Sequence, residues 1–229
     1  MRIMTFKTEE FEVNGYKATV LIPENPNGKW IWKTEFFYAF DQAERALFEK
    51  GYTRVYYQVS DMYGSVRAIR LMRNFHKELL KRFSFLDEQA ILFGFSRGGL
   101  YAFNYTLYYP ESVSKIYLDA PVLNLKSWPP EGSIEQKQFF EEYNLNKETF
   151  ESFKDSPINH LQEFFEYKIP TLLVAGDSDK TVPFIDNGGI MSSKAKELDV
   201  EIGLILKKGY GHHPHSLEDV EPLMKFVER

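Results

Sequence analysis

Apolar and polar positions sort this chain into alternating strand and helix periods. Phe6 to Val13 and Tyr16 to Ile22 are β-rich runs flanking Asn14-Gly15, a dipeptide suited to a tight hairpin turn. A βαβ rhythm follows. Trp30-Ile-Trp32 reads as a strand, residues 39 to 49 as a helix ending at Gly51, and Val55-Tyr-Tyr-Gln-Val59 as the next strand. Ser65 is placed to cap a long helix through Phe83, with apolar positions at Val66, Ile69, Met72, Leu79 and Leu80. Ala90 to Phe95, Lys115 to Leu118, Thr171 to Val174 and Ile202 to Leu206 supply further strands, most apolar enough to be buried on both faces. The series predicts an α/β fold: a mainly parallel sheet flanked by helices, with ligands at the carboxyl ends of the strands.

Between Pro121 and Tyr167 the alternation stops. Two short helical patterns replace it, the first opening with Ser133-Ile-Glu-Gln136, which matches a capping box. This reads as a cap-like insertion at about 122–168 within a single domain, 1–229. Its aromatics Trp128, Phe139, Phe140 and Tyr143 either line a substrate cleft or pack the insertion onto the sheet.

The apolar run Ala90-Ile-Leu-Phe-Gly94-Phe-Ser96-Arg-Gly98-Gly99-Leu enters a helical pattern through G-x-S-x-G. A serine forced onto a strand-to-helix turn has strained backbone angles, and side chains two positions either side would collide with it. Gly94 and Gly98 remove those side chains. Ser96 is thus the candidate nucleophile, and the Arg97 N–H at the helix start is a candidate oxyanion donor. A serine hydroxyl needs a histidine to take its proton and a carboxylate to hold that histidine. Two stretches offer them: Leu172-Leu-Val-Ala-Gly-Asp177-Ser-Asp179-Lys-Thr-Val-Pro183, and Lys207-Lys-Gly-Tyr-Gly-His212-His213-Pro-His215-Ser after the last strand. Asp177 and Asp179 compete as the acid, with Asp119 at another strand end as a substitute.

Composition narrows the class. The chain has 229 residues, a formal net charge of −5 and no cysteine, and a pI near 5.6. Acidity argues against a nucleic-acid partner, although Arg67, Arg70, Arg73, Lys77 and Lys81 form a basic face on one predicted helix. Disulfides, thiolate metal sites and a cysteine nucleophile are excluded. The N-terminal stretch from Met1 to Glu10 contains no apolar signal core, and no run approaches the ~18 apolar residues of a membrane span, so a cytoplasmic protein without a membrane partner is expected. His212, His213 and His215 lack the accompanying spacing of a defined zinc motif, so no metal and no cofactor are expected.

Over nearly its whole length the chain resembles the α/β-hydrolase superfamily, and in particular small bacterial members that pair G-F-S-R-G-G-L with a terminal G-x-G-H-H-P-H-S-L. In that superfamily the acid sits in a G-x-x-D-x-x-V-P loop, here Gly176-Asp-Ser-Asp179-Lys-Thr-Val-Pro183, and the base is the first histidine after the glycine, here His212. The resemblance implies Ser96, Asp179 and His212 as a triad, and a serine hydrolase with carbohydrate esters among its suggested substrates. The chain departs from the superfamily after its third strand, where an H-G segment often supplies the second oxyanion N–H. Here Lys33-Thr34-Glu35-Phe36-Phe37 stands instead. A backbone N–H needs no particular side chain, so Thr34 or Glu35 is expected to donate. Lys33 and Glu35 are read as an ion pair, either lining the site or on the surface; Trp128, Lys33 and Glu35 are the candidate substrate contacts. The Arg97 side chain either binds an anionic substrate group or makes a surface salt bridge. The expectation is an esterase acting on a small polar substrate. A serine peptidase or amidase, or a noncatalytic binding protein that keeps the fold, are the alternatives, and the oligomeric state is left open.

Overall fold

The computed structural model describes residues 6–229. The N-terminal stretch on which the cytoplasmic expectation rests lies partly outside them. Among the described residues no helix is long and apolar enough to cross a membrane.

Strands β1 (Phe6–Val13) and β2 (Tyr16–Pro23) form the expected hairpin, with Asn14 and Gly15 both at positive φ in the turn. They are followed by β3 (Trp30–Lys33), α1 (Gln42–Glu49), β4 (Thr53–Tyr57), α2 (Val66–Arg82), β5 (Ala90–Phe95), α3 (Gly98–Tyr108) and β6 (Val113–Asp119). The insertion carries α4 (Ile134–Tyr143), α5 (Lys147–Glu151) and α6 (Leu161–Glu166). The chain closes through β7 (Thr171–Gly176), α7 (Gly188–Glu197), β8 (Gly203–Lys207) and α8 (Glu221–Glu228). The strands make one sheet in the order β1-β2-β4-β3-β5-β6-β7-β8. β1 and β2 are antiparallel to their neighbours, and every pairing from β4 to β8 is parallel.

Helices cover both faces of this sheet. On one, α2 and α3 join α6 and α7 over Val55, Leu92, Ile116 and Leu173. On the other, Ala43 and Leu47 of α1 meet Leu223, Met224 and Val227 of α8 over Phe93, Tyr117 and Val174. Ser65 caps α2 as its position predicts, its hydroxyl accepting from the Ala68 N–H at 3.2 Å. The basic face of α2 is partly paired: Arg67 reaches Glu142 of α4, and Arg73 bonds Glu111 at 2.8 Å.

Three expectations change. β4 begins two residues early and ends at Tyr57, not Val59, because Thr53 and Arg54 pair with β3 while Val59 turns away to accept from the Tyr101 hydroxyl. The Arg54 guanidinium enters the interior because Asp41 receives it at 2.8 Å. β8 is an edge strand with Leu204 and Leu206 about two-fifths exposed, so only one of its sides is paired. Lys33 and Glu35 do not pair with each other. Lys33 turns under the sheet to Glu44 at 2.6 Å, with both side chains 1 % exposed. Glu35 turns the opposite way, to Arg97. Lys33 is therefore sealed from substrate.

His76 on α2 generates a test of the core. Its ring is 1 % exposed; Nε2 donates to the Glu88 carbonyl at 2.9 Å, and Nδ1 accepts from the Tyr105 hydroxyl at 2.7 Å. Burial pushes its pKa down from 6.5 to about 4. As pH falls the unfolded chain takes up this proton first, so the stability that neutral His76 confers is complete above pH 6.5 and is lost towards pH 4. The loss amounts to about 3 kcal/mol. Urea unfolding of the wild type and of His76→Gln at pH 7 and pH 4.5 should show a shallower fall in the variant; equal falls would refute the assignment.

Candidate active site

Four strand ends bring the site together. At the end of β5, Ser96 has φ +50°, a left-handed conformation that costs a non-glycine residue about 1–2 kcal/mol. The cost is met by backbone bonds: its N–H donates to the Asp119 carbonyl at 2.9 Å, and its carbonyl accepts from Gly99 and Val122, each at 2.9 Å. The glycines are needed for close approach. A Cβ on Gly94 would lie 2.8 Å from the Ala102 Cβ, and one on Gly98 3.1 Å from the Thr34 Oγ1. Gly99 is tighter still, its Cβ falling 2.5 Å from Pro121.

Ser96 Oγ lies 2.9 Å from His212 Nε2. His212 Nδ1 lies 2.7 Å from Asp179 Oδ2. A carboxylate only accepts, so Nδ1 carries the proton and Nε2 faces the hydroxyl with its lone pair. Asp179 is itself fixed: its Oδ1 accepts from the Thr181 and Val182 N–H groups at 2.8 and 2.9 Å. Asp177 does other work. Its Oδ1 accepts from the Gly209 N–H at 2.7 Å, and its own N–H donates to Lys207, joining the loop after β7 to the loop after β8. A serine, histidine and carboxylate in such a chain allow the hydroxyl to lose its proton as it attacks and the resulting imidazolium to be stabilised.

The Thr34 donor needs correction. Its N–H is taken by the Phe93 carbonyl of the neighbouring strand at 3.0 Å, and its hydroxyl bonds the Gly98 carbonyl at 2.8 Å. Thr34 thus pins β3 to the turn and has no N–H left for an oxyanion. Beside the turn, the Arg97 side chain makes an ion pair with the exposed Asp61 at 2.8 Å and reaches the buried Glu35 at 3.5 Å. Glu35 is 2 % exposed, and burial raises its pKa although Arg97 opposes the shift.

The insertion meets this network through Tyr63, which accepts from the Tyr143 hydroxyl and donates to Gln138. Trp128 is 9 % exposed with its ring 6.1 Å from that of Tyr63, whose ring in turn neighbours the Arg97 guanidinium. Phe139 is fully buried among Phe140, Tyr143, Phe150 and Phe153, so it packs the insertion and lines no cleft. The insertion has three α-helices where two were expected; α6 joins the sheet cover by stacking Phe164 on Phe103 at 4.4 Å.

One pairing was not anticipated. Asp119, weighed as a substitute acid, is occupied by His215: Nδ1 donates to Oδ1 at 2.8 Å, with both side chains almost wholly buried. The Ser216 N–H and the Tyr117 hydroxyl complete that carboxylate. Asp119 and His215 stand 96 residues apart, and the strand-end position of Asp119 was the one local hint.

A family model describing the alpha/beta hydrolase fold matches residues 71–158, a stretch that includes Ser96 but neither Asp179 nor His212. No curated protein matches the chain in sequence. Among solved structures, it is similar to the acylaminoacyl peptidase of Pyrococcus horikoshii (16 % identity, TM-score 0.70, 93 % of this chain and 38 % of that one). It is similar also to TT1662 of Thermus thermophilus (17 %, 0.66, 98 % of both chains). A third is a predicted CIB-like hydrolase of Thermoplasma acidophilum (21 %, 0.57, 98 % and 96 %). The chain spans about two-fifths of the length of the acylaminoacyl peptidases it matches. Together with the sheet order, these likenesses establish the α/β-hydrolase fold.

The junction of the two loops is testable. A Cβ on Gly176 would lie 2.2 Å from the Tyr210 carbonyl and 2.4 Å from that of Gly211, immediately before His212. Gly176→Ala should push the base loop off the acid loop, lowering the rate of Ser96 labelling by a fluorophosphonate at least ~tenfold while circular dichroism still reports a folded α/β protein. Full-rate labelling would show that the junction does not position His212.

Proposed function

We propose that the chain is a serine hydrolase cleaving a carboxylic ester of a small polar substrate, carbohydrate esters among the candidates, through an acyl-enzyme. The observation that carries this reading is the unbroken hydrogen-bond chain from Ser96 Oγ through His212 to Asp179, 2.9 and 2.7 Å long. Ser96 Oγ attacks the carbonyl carbon as His212 Nε2 takes its proton. Asp179 holds the Nδ1 proton and stabilises the imidazolium. The Arg97 N–H at the start of α3 receives the oxyanion, and with Thr34 committed to the sheet the second donor is the Glu35 N–H. Collapse expels the alcohol with the proton from His212. Water, deprotonated by the same ring, then attacks the acyl group and frees Ser96.

Substrate selection falls to Trp128, which packs against the fully buried Tyr63 beside the Arg97 guanidinium. A peptidase is the second reading. It is favoured by the acylaminoacyl peptidase likeness, since peptide cleavage by that triad differs only in the leaving group.

The reading has three measurable consequences. A fluorophosphonate should label Ser96 alone, with Ser96→Ala abolishing both labelling and hydrolysis. His212→Ala and Asp179→Asn should each lower kcat by at least ~10³-fold, whereas Asp177→Asn keeps most of it. Wild-type protein inert to the probe and to every activated ester would refute the hydrolase. In a screen of acetyl, methyl and short acyl esters against peptide amides, esters should be turned over faster; faster amides would install the peptidase reading. Separately, Trp128→Phe should shift relative kcat/KM between two ester substrates by more than ~threefold, a uniform change instead assigning Trp128 to packing.

A further inference from the structure

We propose that His212, His213 and His215 form a binding site for a zinc-class divalent cation, and that the bound cation withdraws His212 from Ser96. The three rings stand at the corners of an equilateral triangle, every pair of centroids 4.9 Å apart and every pair near perpendicular, at 71°, 80° and 83°. A metal ~2.1 Å from one nitrogen of each of three imidazoles, in tetrahedral array, sets ring centres about 5 Å apart. One ring nitrogen from each residue lies within 4.8 Å of the other two. Tetrahedral ligation at ~2.1 Å sets the nitrogens about 3.4 Å apart, so the three rings turn inward from this spacing to close on a common centre.

The outer partners fit the same chemistry. Asp179 accepts from His212 Nδ1 at 2.7 Å, and Asp119 accepts from His215 Nδ1 at 2.8 Å. A histidine held by a carboxylate on one nitrogen offers a fixed, electron-rich lone pair on the other, the arrangement found behind metal-ligating histidines. One such pair is accounted for by serine activation; the Asp119–His215 pair has no part in it, since His215 does not reach Ser96. His213, the exposed member, is steadied by stacking on Phe40 at 5.6 Å, and the same Phe40 ring meets His215 edge-on at 5.4 Å. Three imidazoles suit zinc, copper(II) and nickel(II) over magnesium or calcium, and leave a fourth position to water. A cation on His212 Nε2 occupies the lone pair that faces Ser96 Oγ, so the hydroxyl loses its proton acceptor. The binding stands on the geometry alone; its inhibitory consequence rests on the hydrolase reading above.

The test uses the full chain stripped with EDTA and titrated with zinc chloride by calorimetry, alongside hydrolysis of p-nitrophenyl acetate. Wild type should bind one zinc per chain. His213→Ala should bind it at least ~tenfold more weakly while hydrolysing the ester at the wild-type rate without metal. Saturating zinc should suppress wild-type hydrolysis at least ~tenfold, reversibly on adding EDTA, and leave His213→Ala active at that concentration. Absence of stoichiometric binding, or binding unchanged in His213→Ala, overturns the site. Stoichiometric binding without any effect on hydrolysis overturns the withdrawal of His212. If the wild type binds one zinc through His213 but turns over no ester, the cation site is upheld and the hydrolase reading is the one that fails. His215→Gln should likewise bind zinc at least ~tenfold more weakly, and unchanged binding overturns its place in the ligand set.

Discussion

The left-handed conformation of Ser96 is the constraint from which the rest of the site follows. Held at φ +50°, the residue can neither continue β5 nor begin α3, and its hydroxyl is left standing at the sheet edge. The three backbone bonds that hold it there reach β6 and the segment after it, through Asp119 and Val122, and the first turn of α3, through Gly99. The same strand end that anchors the serine through the Asp119 carbonyl holds His215 through the Asp119 side chain. Serine backbone and histidine loop are thereby tied to one residue. A strain of about 1–2 kcal/mol is small beside a core in which β5 and β7 are buried throughout, which is why the fold tolerates it.

What the sequence made legible was what depends on short range. Gly94, Gly98 and Ser96 announced the turn because the steric demand acts within five residues. Asn14-Gly15 announced the hairpin, and Ser65 the start of α2, for similar reasons. The order of nucleophile, acid and base marked three strand ends that the parallel topology does bring to one edge. The parts that were not legible depend on pairing across the sheet. Nothing near Thr34 shows that Phe93 will consume its N–H, and nothing near Lys33 shows that Glu44 will face it under the sheet. Lys33 and Glu35 read as a pair in sequence, but the chain leaves β3 at Lys33 and the two side chains go separate ways. Helices α7 and α8 differ in how strongly the sequence marks them. α7 opens on Gly188-Gly189 against Phe184, a poor helix former on propensity. α8 carries a regular signature in Pro222, Leu223, Met224 and Val227 that was there to be read.

Charge inside this molecule is arranged in closed groups. Lys33 with Glu44, Arg54 with Asp41, and Arg97 with Glu35 each meet their counterpart inside the fold. Buried pairs of this kind add little net stability over apolar residues of like volume, but removing one member typically costs about 3–5 kcal/mol. Their placement matters more than their sum. They fix loop directions around Ser96 where apolar contacts alone would leave several packings of similar energy.

β8 has a further consequence. It is the outermost strand on its side, paired only with β7 and half open to solvent, yet the loop that leaves it carries His212. Ser96, by contrast, follows β5 in the middle of the sheet. Free energies of local opening follow burial, so the resistance of the His212 loop to opening comes from its bonds to Asp179 and Asp119 more than from β8 itself. An exposed edge strand thus carries a well-anchored loop, and those two carboxylates join the outermost strand to the middle of the sheet.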